Sequence, residues 1–191
     1  VVTVNPIPGN PATFGSDQWI GYVYTDAGSP APPSTNITFN NANYRGFIAD
    51  TDIAGMSATS AYNGSTDAFD LNIGNNASGF DIHGPNVCGN FNDDFSIRFR
   101  NTKTFTAGVY TFNVGGDDGV RLFVDGALID LQQPNTFANH AYTTYTSVPV
   151  CLTTGTHDLV LEYYEHTGSA RVSFDFSAAP TPVVASPVSL C

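Results

Sequence analysis

Two adjacent aspartates, Asp117 and Asp118, are the strongest candidates for a chemical role in this sequence. They lie in the run Gly-Gly-Asp-Asp-Gly at residues 115–119. Adjacent carboxylates repel each other, so a chain that brings both to one side needs a reason to do so. The flanking glycines would relieve the backbone strain of that arrangement. The net charge of −11 on the chain suits a hard cation such as Ca²⁺, which prefers oxygen ligands.

Strands on both sides must position this pair. Residues 109–114 alternate apolar and polar side chains, which is typical of a strand with one buried face. Residues 120–124 and 127–131 are two further β-rich runs, separated only by Asp125 and Gly126. Asp-Gly suits the backbone angles of a tight two-residue turn, so the sequence predicts a β-hairpin directly after the aspartates.

The same stretch carries a resemblance to a known family. Residues 115–126, Gly-Gly-Asp-Asp-Gly-Val-Arg-Leu-Phe-Val-Asp-Gly, resemble the core motif of the PA14 domain. Residues 155–165, which end in Tyr-Tyr-Glu, resemble that family's next landmark strand, and residues 19–24 and 44–47 resemble its versions in secreted Bacteroidetes-type proteins. The resemblance implies an all-β fold, a PA14-like antiparallel β-sandwich with long loops.

The resemblance also implies a calcium site. In PA14 lectins of bacterial adhesins and yeast flocculation proteins, the two aspartates are joined by a cis peptide and bind Ca²⁺, with further oxygens from the loop after the Tyr-Tyr strand. On this chain the pattern selects the side chain of Glu165 and the backbone carbonyls of Thr167 and Ser169.

A shift of that pattern by one residue is an open alternative. It would select His166, Gly168 and Ala170. Imidazole is a poor ligand for calcium, which favours Glu165.

Carbohydrate is the expected partner, because two neighbouring sugar hydroxyls can complete an open calcium coordination sphere. Asp117 and Asp118 would then also accept hydrogen bonds from the sugar. Two loops, residues 75–90 and 132–142, would set the choice of sugar. Their candidate side chains are Asp81, His83, Gln132, Gln133, Asn135 and His140. The alternative is a purely structural calcium ion, since a carboxylate at Glu165 could fill the sphere.

Length, composition and charge limit the number of domains and the classes of partner. The 191 residues fit one domain over residues 1–178, followed by a Pro-rich linker or tail over 179–191. A net charge of −11 argues against nucleic acid as a partner. No apolar run in these residues is long enough to span a membrane, and none follows a charged segment in the pattern of a signal peptide, so we expect neither here. We expect a monomeric domain of a larger secreted or cell-surface protein.

Three cysteines leave one over from any single pairing. We expect a disulfide between Cys88 and Cys151, worth about 4 kcal/mol on the chain-entropy view. Two buried free thiols are the alternative. Cys191 would be left for an intermolecular partner.

The remaining segments are predicted to form strands and loops. Strands are predicted at residues 18–25, 44–49, 95–99, 103–105, 142–150, 156–164 and 170–176. Residues 50–90 should hold short strands and surface loops, and no segment has a sustained helical period. Trp19 should anchor the core, with a sugar-stacking platform as the alternative. Asp93 and Asp94 look like an ordinary polar strand start.

Two rival functions remain. A glycosidase needs carboxylates roughly 5 to 9 Å apart across the scissile bond. The adjacent pair resembles metal ligands instead, so we do not expect an enzyme. A spacer or protein-binding module, accessory to an enzyme elsewhere in the parent protein, is the stronger alternative.

Overall fold

The structure is a computed structural model that describes residues 7–25, 39–75 and 81–179. Within these residues the chain forms short and long β-strands and one α-helix. The elements are β1 (Gly15–Ser16), β2 (Ile20–Thr25), β3 (Tyr44–Ala49), α1 (Asp50–Met56), β4 (Ala61–Asn63), β5 (Ala68–Asn75), β6 (Phe95–Phe105), β7 (Gly108–Asp117), β8 (Val120–Val124), β9 (Ala127–Leu128), β10 (Thr143–Thr146), β11 (Val150–Leu152), β12 (Gly155–Glu165) and β13 (Ser169–Ala178).

The strands form two sheets. The first sheet has the order β3-β2-β6-β12-β8-β9, with β1 added in parallel to β6. The second has the order β10-β7-β13-β5-β4, with β11 added to β7. Every other pairing is antiparallel. The predicted all-β fold of antiparallel sheets is therefore confirmed.

Trp19 lies in the core between the two sheets. It is 1% exposed, and its ring makes edge contacts with Phe69, Phe99 and Phe174 at centroid distances of 4.9–6.3 Å. Its indole Nε1 donates to the backbone carbonyl of Asp67 at 2.8 Å. The core position is confirmed, and a buried ring of this kind has no face for a sugar.

The hairpin after the aspartates forms as the sequence predicts. Asp125 and Gly126 connect β8 to β9 with φ angles of 50° and 78°, the conformation that an Asp-Gly turn favours. The second strand is shorter than predicted and ends at Leu128. Beneath the turn, Nδ1 of His157 lies 2.6 Å from a carboxylate oxygen of Asp125.

This ion pair predicts a pH dependence of stability. Asp125 raises the pKa of His157, so that contribution is complete below about pH 6.5 and is lost as pH rises through the raised pKa. Burial raises the pKa of Asp125, but His157 and the Asp158 backbone N–H outweigh it and lower that pKa, so their contribution is complete above about pH 3.9 and is lost at more acidic pH. Asp125→Asn keeps the turn chemistry and should cost under about 1 kcal/mol, because Asp125 is exposed.

Urea unfolding of the wild type and of Asp125→Asn at pH 5.5 and pH 9 measures this effect. The difference in unfolding free energy should be larger at pH 5.5, and His157→Gln should show the same trend. An equal difference at both pH values would contradict the prediction.

Three further elements of the structure differ from the sequence prediction. Helix α1 is not predicted, because its seven residues are too few to show a helical period. It buries Ile53 and Met56 against the core. The two strands predicted at 95–99 and 103–105 are one strand, β6. The strand predicted at 142–150 ends as β10 at Thr146, because the Phe112 backbone N–H donates to the Ser147 hydroxyl at 3.0 Å in place of a backbone carbonyl, and β11 begins at Val150.

The predicted disulfide between Cys88 and Cys151 is wrong. The backbone N–H of Cys88 donates to Arg45 beside β3 of the first sheet, while Cys151 pairs with Val109 in the second sheet. The two cysteines are exposed and are not joined to each other, so the buried-thiol alternative also fails. Cys191 and residues 180–191 of the predicted tail lie outside the described residues.

Candidate functional site

One polar cavity lies where the second sheet ends. It has a volume of about 480 Å³. Asp117 ends strand β7 and Asp118 follows it. Thr167 lies in the turn between β12 and β13, Ser169 begins β13, and the loop before β10 supplies the opposite wall. The lining residues are Asp117, Asp118, Asn139, His140, Ala141, Thr167 and Ser169. Four of the five predicted metal-ligating residues therefore share one cavity.

The aspartate pair is held by backbone amides from both flanking loops. The peptide bond between Asp117 and Asp118 is cis, as the resemblance implies. Asp118 is 6% exposed, and its two carboxylate oxygens accept from the backbone N–H groups of His140 and His166 at 2.9 Å each. The Tyr142 backbone N–H donates to Asp117. Asp118 therefore links the two loops that form the cavity.

A third carboxylate lies beneath the pair. Glu165 is fully buried and does not line the cavity. Its Oε2 accepts from the Tyr163 hydroxyl at 3.3 Å, and its Oε1 has no hydrogen-bond partner among the described residues. The same hydroxyl donates to the backbone carbonyl of Asp117 at 2.6 Å. An unpartnered buried carboxylate oxygen calls for a partner that residues 7–25, 39–75 and 81–179 do not supply.

Electrostatics at the site favour a cation. Burial raises the pKa of Glu165 to about 9, and the negative charges of Asp118 and Asp117 add to the effect. Burial, and then Asp118, raises the pKa of Asp117. Three carboxylates that disfavour one another's ionised form would be relieved by a positive ion between them. Across residues 7–25, 39–75 and 81–179, no three His, Cys, Asp or Glu side chains stand together as a metal cluster by themselves.

The one-residue shift fits less well. The imidazole of His166 is paired with Asp94, Nδ1 to Oδ1 at 2.8 Å, and Ala170 is buried. Thr167 and Ser169 are exposed at the cavity. These positions favour the set with Glu165, Thr167 and Ser169.

The glycines serve close packing rather than unusual backbone angles. None of Gly115, Gly116 and Gly119 has a positive φ. A Cβ on Gly119 would overlap the ring of Tyr164 and reach 3.0 Å from backbone atoms of Phe137 and Ala138. The absence of a side chain at residue 119 therefore lets the cavity loop approach strand β12.

Gly119→Ala should displace the loop. The new methyl group meets backbone atoms that cannot rotate away, so we expect a loss of about 1–3 kcal/mol in unfolding free energy. Gly55→Ala is the matched control, since a Cβ there meets nothing within 4 Å. Chemical denaturation of both variants measures the effect, and equal stabilities would contradict this account of the loop.

The comparisons with known proteins place the chain in a family. The PA14 domain family matches residues 86–182, which is just over half of the 191 residues. The chain belongs to the PA14 domain family. No protein of curated function matches it.

Solved structures share the fold of this PA14 domain. An anti-sigma factor domain-containing protein superposes with a TM-score of 0.55 at 20% identity, covering 87% of this chain and 43% of that one. A second, from Clostridium clariflavum, gives 0.52 at 16% identity, covering 93% and 48%. The PA14 sugar-binding domain from an RTX adhesin gives 0.48 at 19% identity, covering 84% and 89%. The chain spans less than half the length of the first two.

Only one of the predicted sugar-selecting side chains lies at the cavity of the PA14 domain. His140 lines it, although its imidazole contacts Tyr145 and backbone carbonyls. The Gln132 amide donates to the carbonyls of Thr146 and Ser147, a structural role. The others lie elsewhere: Gln133 and Asn135 line a separate cavity, and Asp81 pairs with His83 at 2.6 Å.

Asn139 is a cavity residue that the sequence does not single out. Its Oδ1 accepts from the Tyr164 hydroxyl at 2.9 Å, which holds the loop against β12. It falls inside the 132–142 loop, which the sequence indicates as a whole, but nothing in its local sequence distinguishes it from the other polar residues there.

Two further groups hold the cavity walls. Asp93 accepts from the backbone N–H of Gly168 at 3.1 Å, so the second acid pair braces the turn rather than merely starting a strand. On the other wall the Tyr142 ring lies 4.0 Å from the guanidinium of Arg171, which bonds Asp70 at 2.6 and 2.9 Å. Neither contact follows from local sequence.

No helix within the described ranges is long and apolar enough to cross a membrane.

Proposed function

We propose that this PA14 domain binds carbohydrate through a calcium ion held at Asp117 and Asp118. The observation that carries the proposal is the shared cavity: two adjacent carboxylates meet the turn of Thr167 and Ser169 over a buried carboxylate, Glu165. These residues come from strand ends that are far apart in the sequence. Their convergence on one open, polar cavity supports a ligand site.

The donor set fits calcium. Calcium takes about 6 to 8 oxygen ligands and accepts carboxylates together with backbone carbonyls. Asp117 and Asp118 would hold the ion with the carbonyls of Thr167 and Ser169, and the unpartnered Oε1 of Glu165 supports a role for that side chain below the pair. When bound, the ion would offer sites on its solvent side to two neighbouring sugar hydroxyls.

The protein's own groups orient the ligand. Amides of His140 and His166 hold both oxygens of Asp118 while leaving further lone pairs to accept from a sugar hydroxyl. Asn139 and Ala141 form the wall against which a sugar would lie. Because these walls are braced by β12 and β13, the site is arranged before the ligand arrives, which lowers the entropy cost of binding.

Binding rather than catalysis is the role we infer. The two aspartates are adjacent and anchored by amides, so they do not face each other across a bond to be cleaved. We place the domain in a secreted or cell-surface protein, where weak single sites gain strength when several copies are presented together.

A structural calcium ion is the second candidate. The observation that favours it is Glu165, since a buried third carboxylate could complete the sphere from below. That role would not need the solvent side of the cavity.

A glycan array probed with the purified chain, once in millimolar calcium and once in excess chelator, tests the proposal. We expect calcium-dependent binding to sugars that carry two neighbouring free hydroxyls. The absence of binding under both conditions would overturn the lectin function.

Calcium should also raise the melting temperature. An ion that binds only the native state stabilises it by mass action, about 2.7 kcal/mol at 100 times its dissociation constant. For a chain of this size that corresponds to about 5–10 °C. Scanning calorimetry in calcium, magnesium and chelator measures it, and an equal melting temperature in all three would contradict a calcium site of either kind.

A further inference from the structure

A row of four side chains crosses the outer face of the first sheet, away from the aspartate cavity residues. Strand register places Arg100 of β6 beside Val160 of β12, Val160 beside Phe123 of β8, and Phe123 beside Leu128 of β9. At a strand spacing of about 4.8 Å, the row is about 14 Å long. We call these four residues the Arg100 row.

Three positions of the Arg100 row are apolar and accessible. Leu128 is 62% exposed, and Val160 and Phe123 are partly exposed. Their neighbours in each strand, such as Leu161 and Leu122, point into the core. The outer face of a sandwich strand is usually polar, so an apolar strip there is a candidate binding surface.

Arg100 is a cation that forms no ion pair with a carboxylate in the part of the chain that the structure describes. Its Nε is buried and has no acceptor among those residues, and the Phe14 ring covers its guanidinium at 4.8 Å. Burial lowers the pKa of Arg100, and the neighbouring positive charge of Arg98 adds to this. An arginine in this state would be stabilised by an anion.

The nearby acids already have partners. The carboxylate of Glu162 on β12 accepts hydrogen bonds from Nε of Arg98 at 2.8 Å and from Nε of Arg121 at 2.5 Å. Asp158, on the other side of Val160, accepts from the Thr102 hydroxyl at 2.6 Å. The described residues therefore supply no paired anion to Arg100.

We propose that the Arg100 row binds a uronic acid residue of a polysaccharide, with the carboxylate on Arg100 and the sugar ring on Val160 and Phe123. A pyranose ring about as wide as one strand spacing carries an apolar C–H face, and in a uronic acid a carboxylate stands at its edge. The net charge of −11 disfavours a run of acidic sugars, so an isolated uronic acid in a mostly neutral chain fits best. This site does not involve the aspartate cavity and holds or fails independently of it.

NMR of the arginine side chains tests the proposal in the full chain. The protein has five arginines, so Nε–H signals are few and Arg100 is assigned with Arg100→Lys. Sodium D-glucuronate is titrated at constant ionic strength in chelator, with D-glucose as the neutral match. We expect a saturable shift of the Arg100 signal with glucuronate and none with glucose. The signal of Arg171, which is already paired with Asp70, should not shift.

A variant of the apolar part and a control variant complete the test. Phe123→Ala should raise the dissociation constant for glucuronate about 3- to 10-fold, because the ring loses its aromatic support. Arg45→Lys is the matched control and should leave it unchanged. No shift at Arg100, equal shifts at all arginines, or equal affinities for acetate and glucuronate would each overturn the assignment to a uronic acid.

Discussion

Asp118→Ala should lose calcium-dependent stabilisation and calcium-dependent sugar binding together. Both carboxylate oxygens disappear from the cavity, so calcium affinity should fall at least about 100-fold, because calcium affinity depends steeply on the number of charged ligands. The backbone amides of His140 and His166 also lose their acceptor. We therefore expect a further loss of about 1–3 kcal/mol in the absence of calcium. Calorimetry with calcium and chelator, followed by the glycan array, measures both effects.

Asp118→Asn and Asp175→Asn complete that experiment. Asp118→Asn keeps one oxygen acceptor, so it should retain more stability without calcium while still losing the calcium response. Asp175 is an exposed aspartate of β13 that does not line the cavity, and its replacement should change neither property. Retained sugar binding in Asp118→Ala would contradict the proposed mechanism.

Trp19→Ala should destabilise the fold more than Asp118→Ala or Gly119→Ala, by about 3–5 kcal/mol. The ring fills the space among Phe69, Phe99 and Phe174, and the deletion leaves a cavity that these rigid rings cannot close. The Asp67 carbonyl also loses its hydrogen bond from the indole. Urea unfolding monitored by far-UV circular dichroism measures the change.

Trp19→Phe is the informative partner of that variant. It should keep most of the packing and lose roughly half as much stability. Because Trp19 is buried, Trp19→Phe should bind the same sugars as the wild type under conditions where both are folded. A selective loss of sugar binding in folded Trp19→Phe would return the residue to the sugar-stacking role.

Local sequence patterns are sufficient to predict several features of the structure. The Asp125-Gly126 turn follows from two residues whose backbone preferences leave few alternatives. The strands that flank the aspartates follow from period-two alternation, since one face must be buried. The pairing of Asp117 with Asp118 is visible because the residues are adjacent. These features depend on neighbours in the chain, which a single sequence displays directly.

Features that depend on packing between distant segments cannot be read in the same way. Helix α1 is too short to show a period, and the Cys88–Cys151 disulfide fails because the fold puts Cys88 beside β3 of the first sheet and Cys151 in β11 of the second. The role of Gly119 is space for Tyr164 rather than backbone freedom, which appears only once β12 lies beside the loop.

The amino-acid sequence alone is enough to predict the class of fold, the family and the two aspartates of the candidate site. Each of these depends on patterns in contiguous residues. Long-range packing determines which other groups reach the aspartates: Asn139 and His140 from one loop, and the turn braced by Asp93 from another. It also makes Gln132 a support for backbone carbonyls instead of a ligand. The physical reason is that loop side chains are placed by hydrogen bonds and packing between distant segments, and these contacts join residues whose spacing in the sequence carries no signal.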